Sequence, residues 1–149
     1  MKIVRGIPEK YISKILDWSI HFEHIMDQTT FKRYVSYVSN FEISLMLLNE
    51  DERIVGAYTL LESDVYDEYN NTEKFEGLYG VEGILLFIEE AYRGMGWGNK
   101  LKDMPRELGY DYVWGRQHKK LNNLHHWLKR RELICEMERE YVTAQIFNV

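Results

Sequence analysis

At 149 residues, with 45% apolar and 29% charged side chains, the chain has the size and make-up of one folded domain, residues 1–149, rather than of a disordered or fibrous segment. A net charge of −5 argues against nonspecific nucleic-acid binding, which needs a basic surface, and no apolar run reaches the roughly 18–20 residues of a membrane span. The lone cysteine, Cys135, excludes an internal disulfide, and the opening Met1–Gly6 leads into no export signal, so a reducing, cytoplasmic setting is expected.

Lys2 to Gly6 reads as a first strand. Pro8 suits a helix start, and Tyr11, Ile15, Trp18 and Phe22 recur at helical spacing, predicting an amphipathic helix from Pro8 to about Phe22. A second helix is expected from Thr30 to Ser39, capped by Thr29 or Thr30. Ile43–Leu48, the turn Asn49–Glu52 and Arg53–Leu61 make a hairpin. Glu62 to Tyr79 is a long polar loop carrying Asp64, Asp67, Glu68, Glu73 and Glu76.

Val81 to Ile88 is a further strand, and its unbroken apolar run from Ile84 predicts burial on both faces. A helix then starts near Gly96 or Gly98 and runs toward Leu108, with a break or restart expected at Pro105. Tyr112–Trp114 forms a short strand and Asn122 to Arg131 an amphipathic helix, its basic end Lys129-Arg130-Arg131 suited to a helix C-terminus. Strands near Leu133–Met137 and Tyr141–Phe147 finish the chain. The order β-α-α-β-β-β-α-β-α-β-β implies an α/β (α+β) domain around one mixed sheet.

The chemistry concentrates where an apolar strand meets a glycine-rich turn and a helix. The first N–H groups of a helix lack internal partners, the helix dipole adds positive potential, and glycine lets the backbone approach a ligand closely. A pyrophosphate is the commonest ligand for such a mouth. The P-loop is excluded, because Gly98 is followed by Asn99-Lys100-Leu101. The dinucleotide fingerprint is excluded too, because Gly94, Gly96 and Gly98 alternate.

The segment Ile84-Leu85-Leu86-Phe87-Ile88-Glu89-Glu90-Ala91-Tyr92-Arg93-Gly94-Met95-Gly96-Trp97-Gly98 resembles the acetyl-CoA signature of the GNAT superfamily. In that signature an apolar strand and about four residues precede R/Q-x-x-G-x-G/A. Arg93, Gly96 and Gly98 fill its defining positions, while Glu90 stands where the family often has proline. The resemblance implies a GNAT-like acyl-CoA N-acyltransferase fold, with a mostly antiparallel sheet flanked by helices. It implies direct transfer of acetyl from acetyl-CoA to a primary amine of a small molecule or protein, with no metal. The alternative is a catalytically silent CoA-binding module with a regulatory or structural role.

By the same resemblance, the backbone of Leu86, Phe87 and Ile88 pairs with the pantetheine arm. The N–H groups of Arg93, Gly94, Met95, Gly96, Trp97 and Gly98 hold the pyrophosphate. An N–H near Ile88 stabilises the thioester oxyanion, a contribution of about 10²–10³ in rate. Asn122, or Asn123, resembles the asparagine that contacts CoA from the following helix.

An amine must lose a proton before it attacks, and a carboxylate serves as base. Glu82 is the candidate, sharing strand parity with Ile84, Leu86 and Ile88. The family often draws its general acid from a helix tyrosine, but no tyrosine lies between Tyr112 and Tyr141, and the expected helix offers His125 and His126 instead. His125 is the candidate acid. His118, His125 and His126 lack the spacing of a metal set, and Cys135 reads as packing. The acidic 62–79 loop suits a cationic amine acceptor, and a homodimer is compatible with all of this.

Overall fold

A computed structural model describes residues 1–63 and 75–116, together with the backbone of 117–118, 133–138 and 142–148. Two compact units interleave along the chain. The first comprises Met1–Leu61 and Ile84–Lys102, the second Glu62–Gly83 and Asp103–Val149.

In the first unit, β1 (Lys2–Arg5) pairs antiparallel with β2 (Leu45–Leu48), which pairs antiparallel with β3 (Ile54–Glu62). β3 lies beside β4 (Gly80–Ile88), whose second half belongs to this unit. The β2–β3 turn is organised by Asn49, whose Oδ1 accepts from the amides of Asp51 and Arg53, each at 3.0 Å. Such a side chain closes a turn on its own backbone.

The helix expected from Pro8 to Phe22 is divided. Pro8 is the cap of α1 (Glu9–Asp17), and the chain then tightens into a 3-10 turn over Trp18–Phe22. Both Trp18 and Phe22 reach the ring of Phe87, at 4.9 and 5.7 Å between centroids. With Ile15, Phe31, Val35, Met46, Leu48 and Leu85 they form the core of this unit.

α2 (Gln28–Val38) starts earlier than the sequence suggested, and its cap is neither threonine. Asp27 Oδ1 accepts from the Thr30 amide at 2.7 Å, and Oδ2 from the Thr30 hydroxyl at 3.0 Å. Those bonds, the amide first, hold the Asp27 carboxyl below its ordinary value.

Burial of β4 on both faces is corrected. Leu85 and Phe87 are buried, whereas Ile84, Leu86 and Ile88 are half-buried. The apolar run covers one face with core and leaves the other partly open. Pro105 does not break its helix either. α3 (Trp97–Glu107) continues through it for one short stretch, and the proline sits so near the C-terminus that only the last turn must accommodate its ring.

In the second unit, the first half of β4 runs parallel to β5 (Tyr112–His118), in the register Gly80↔Tyr112, Val81↔Val113, Glu82↔Trp114. β5 pairs antiparallel with β7 (Val142–Asn148), and β7 antiparallel with β6 (Leu133–Glu138). The ladders are thus mostly antiparallel, as expected for the fold class. Tyr79 and Asp111 tie the entries of β4 and β5 together: Asp111 N–H donates to Tyr79 O at 2.7 Å, and Tyr79 N–H to Asp111 Oδ2 at 2.6 Å.

Gly80 lies under the Tyr112 ring, which is itself buried and packed on Phe75 at 4.9 Å. A Cβ there would overlap the ring. Gly80→Ala is therefore expected to destabilise the fold by about 1–3 kcal/mol through overpacking, read as a lower denaturation midpoint with an unchanged m-value. An unshifted midpoint would show that the ring moves freely.

Candidate functional site

The end of β4 is fixed from the β3 side. Glu89 N–H donates to Val55 O at 2.8 Å, and Phe87 O lies against Gly56, 3.1 Å from where a Cβ would stand. Successive residues of a strand turn their N–H and C=O to opposite edges. Leu86 and Ile88 therefore turn theirs to the edge away from β3, and Phe87 does not. On that edge the ladder with β5 ends at Glu82↔Trp114. Of the three strand residues predicted to contact cofactor, Leu86 and Ile88 have outward backbone groups, while Phe87 faces β3 and buries its ring in the core.

Beyond Ile88 the chain makes a 3-10 turn over Glu90–Tyr92. Tyr92 N–H donates to Glu89 O at 2.9 Å and Arg93 N–H to Glu90 O at 3.2 Å. The Tyr92 hydroxyl accepts from Asn49 Nδ2 at 3.2 Å, which ties this turn to the β2–β3 hairpin. Gly94 and Gly96 then adopt φ of +78° and +87°, a region costly for any residue with a Cβ.

Helical bonding resumes with Lys100 N–H donating to Gly96 O at 3.1 Å. Between these points, the amides of Gly94, Met95, Gly96, Trp97, Gly98 and Asn99 donate to no group among the described residues. Six consecutive donors thus lie at the positive end of α3. A Cβ on Gly94 or Gly96 would meet nothing within 4 Å, so both positions border open space. Gly98 differs: it has no positive φ, and a Cβ there would stand 3.6 Å from Ile88 Cδ1, an ordinary contact. The free run begins one residue later than predicted, because the Arg93 amide is already bonded.

Two cations border the loop. Lys100 Nζ lies 4.2 Å from the Trp97 ring centre. The Arg93 guanidinium lies 5.2 Å from the Phe87 ring centre, and its Nε donates to Ile88 O at 2.6 Å. The Arg93 bond and the Asn49–Tyr92 tie had no signal in the residue pattern.

Glu82 lies in the second unit. It is buried, at 1% exposure, and its Oε2 accepts from Arg116 Nε at 3.0 Å. A buried carboxylate persists only when paired. Arg116 also stacks over Trp114, at 5.2 Å, and was not singled out in the sequence. His125 and Asn122 lie outside the described residues, as do His126, Asn123 and the acidic stretch 64–74. Among the described residues no group of three or more His, Cys, Asp or Glu is placed to hold a metal ion.

No protein-family model matches the sequence, and no curated protein does. Solved structures do match the fold. An acetyltransferase of the GNAT family from Staphylococcus aureus superposes with a TM-score of 0.62 at 13% identity, covering 97% of this chain and 98% of its own. NAA60 from Arabidopsis thaliana, in complex with a bisubstrate analogue, gives 0.63 at 15% identity, covering 99% and 97%. The NatC complex bound to Gag peptide and CoA gives 0.63 at 14% identity, covering 99% and 97%. The chain therefore has the fold of the GNAT acetyltransferases.

Proposed function

We propose that this protein transfers the acetyl group of acetyl-CoA directly to a primary amine. The observation that carries the reading is the run of six undonated amides from Gly94 to Asn99 at the start of α3. In this reading they bind the CoA pyrophosphate. The outward groups of Leu86 and Ile88 pair with the pantetheine arm, and Ile88 N–H faces the thioester oxygen. The amine nitrogen attacks the thioester carbon, the C–S bond breaks, and the amine proton passes to Glu82, directly or through water. CoA leaves as a thiolate, a fair leaving group since an ordinary thiol has a pKa of about 8.5. His125 as proton donor to that thiolate and Asn122 as a CoA contact belong to the same proposal.

Similar folds crystallised with a bisubstrate analogue, or with a peptide and CoA, support an amine acceptor. The carboxylates of the 62–79 segment favour a cationic one. A second reading, a CoA-binding module without turnover, draws on one observation: Glu82 Oε2 is already held by Arg116 Nε at 3.0 Å.

Calorimetric titration with CoA, followed by thiol release from acetyl-CoA with a panel of polyamines, lysine peptides and peptide N-termini, separates the readings. Binding with amine-dependent release is expected. Binding without release across the panel would favour the silent module, and no binding would remove both.

A further inference from the structure

The peptide group joining Ile88 to Glu89 is gripped at both ends. Its N–H, on Glu89, donates to Val55 O at 2.8 Å. Its carbonyl, on Ile88, accepts from Arg93 Nε at 2.6 Å. The second bond carries a full positive charge, and such bonds are the stronger kind. The guanidinium is steadied in turn by the Phe87 ring, 5.2 Å away, whose other neighbours are Trp18, His21 and Phe22. The arginine that opens the glycine loop thus reaches back to the last residue of β4.

This contact changes what the strand edge offers. Leu86 presents both a donor and an acceptor to the edge away from β3. Ile88 would present the same pair, but one lone pair of its carbonyl is taken by the Arg93 guanidinium, whose positive charge opposes the approach of a second N–H, so the last position of the edge favours an incoming acceptor. An arm pairing along β4 then places a carbonyl there in preference to an N–H. In acetyl-CoA the group that follows the pantetheine amides is the thioester carbonyl.

We propose that Arg93 is a positioning residue. By capping the Ile88 carbonyl with a charged donor, it biases the end of β4 toward an incoming acceptor and so holds the thioester C=O against Ile88 N–H. It thereby couples the turn that binds the pyrophosphate to the place where the carbonyl is polarised. The proposal rests on the acetyl-CoA reading.

The test follows the thioester itself and needs no acceptor. Isotope-edited difference infrared spectroscopy of [1-13C]acetyl-CoA bound to the full chain reads the C=O stretch, and calorimetry with CoA reads affinity. The unaltered protein is expected to lower the stretch relative to free acetyl-CoA. Arg93→Ala should abolish most of that lowering while CoA affinity stays within about fivefold, the range for losing one exposed charge near an anion. Arg93→Lys, which keeps a charged donor, should restore much of it. An undiminished shift in Arg93→Ala would overturn the proposal, as would a failure of Arg93→Lys to restore it. A far larger loss of CoA affinity in Arg93→Ala would also overturn it, placing Arg93 in pyrophosphate binding instead. If the unaltered chain binds no CoA, the acetyl-CoA reading falls and this proposal with it.

Discussion

Gly96→Val should weaken CoA binding about tenfold to a hundredfold. Gly96 holds φ +87°, where a β-branched residue is a strong outlier. The space is open, so the penalty comes from the backbone and not from a clash. To relieve it, the loop must rotate, and rotation re-aims the amides on either side of residue 96. One charge-assisted hydrogen bond to a phosphate oxygen is worth about 1.5–3 kcal/mol, which sets the range. Gly77→Val is the matched control. Gly77 has φ +78° and equally open surroundings, but lies outside the loop. It should carry a similar stability penalty, about 1–2 kcal/mol, and leave CoA affinity unchanged. Equal affinity losses in the two variants would mean that general destabilisation, not the aim of the amides, is being measured.

The second large effect concerns Glu82 and Arg116. Arg116→Ala leaves a carboxylate at 1% exposure without its guanidinium. Removing one partner of a buried pair costs about 3–5 kcal/mol, and the low end applies because the Arg116 side chain is 35% exposed. Glu82→Gln should cost less, since the Arg116 side chain is 35% exposed and can turn toward water. The double variant should recover part of the Arg116→Ala loss, as groups in contact are not additive. Chemical denaturation of all four proteins measures this directly. A fully additive cycle would show that the pair contributes nothing. On activity, a general base contributes about 10²–10⁴ in rate, so Glu82→Gln should lose at least about a hundredfold in turnover at neutral pH. Undiminished turnover would leave Glu82 a purely structural residue.

What could be read from the residues, and what could not, follows the range of the interactions involved. The glycine turn was legible because its cause is local. Alternating glycines between an apolar strand and a helix ask for positive φ, and Gly94 and Gly96 adopt it. The order of the described elements was legible for the same reason, while the helix expected over Asn122–Arg131 lies outside the described residues. The cap of α2 was misplaced by choosing between two threonines when Asp27, an equally good cap, stood just upstream with Thr30 three residues on to donate to it.

Burial of β4 was misjudged because periodicity alone cannot distinguish a strand covered on both faces from an apolar strand covered on one. Only the packing of Leu85 and Phe87 against Trp18 and its neighbours decides it. Arg116 escaped notice because its bond to Glu82 depends on a parallel pairing of segments about thirty residues apart in sequence, which places Trp114 opposite Glu82. The reach of Arg93 to Ile88 is short in sequence yet equally hidden, since it depends on the turn folding the side chain back over the strand end.

In the proposed function, the amides from Gly94 to Asn99 receive a diphosphate. Amide-resolved nuclear magnetic resonance of the 15N-labelled chain, titrated with CoA, tests it most directly. The largest downfield proton shifts are expected at consecutive residues within 94–99, saturating together. Saturable binding that leaves those six amides unmoved, with the large shifts elsewhere, would contradict it.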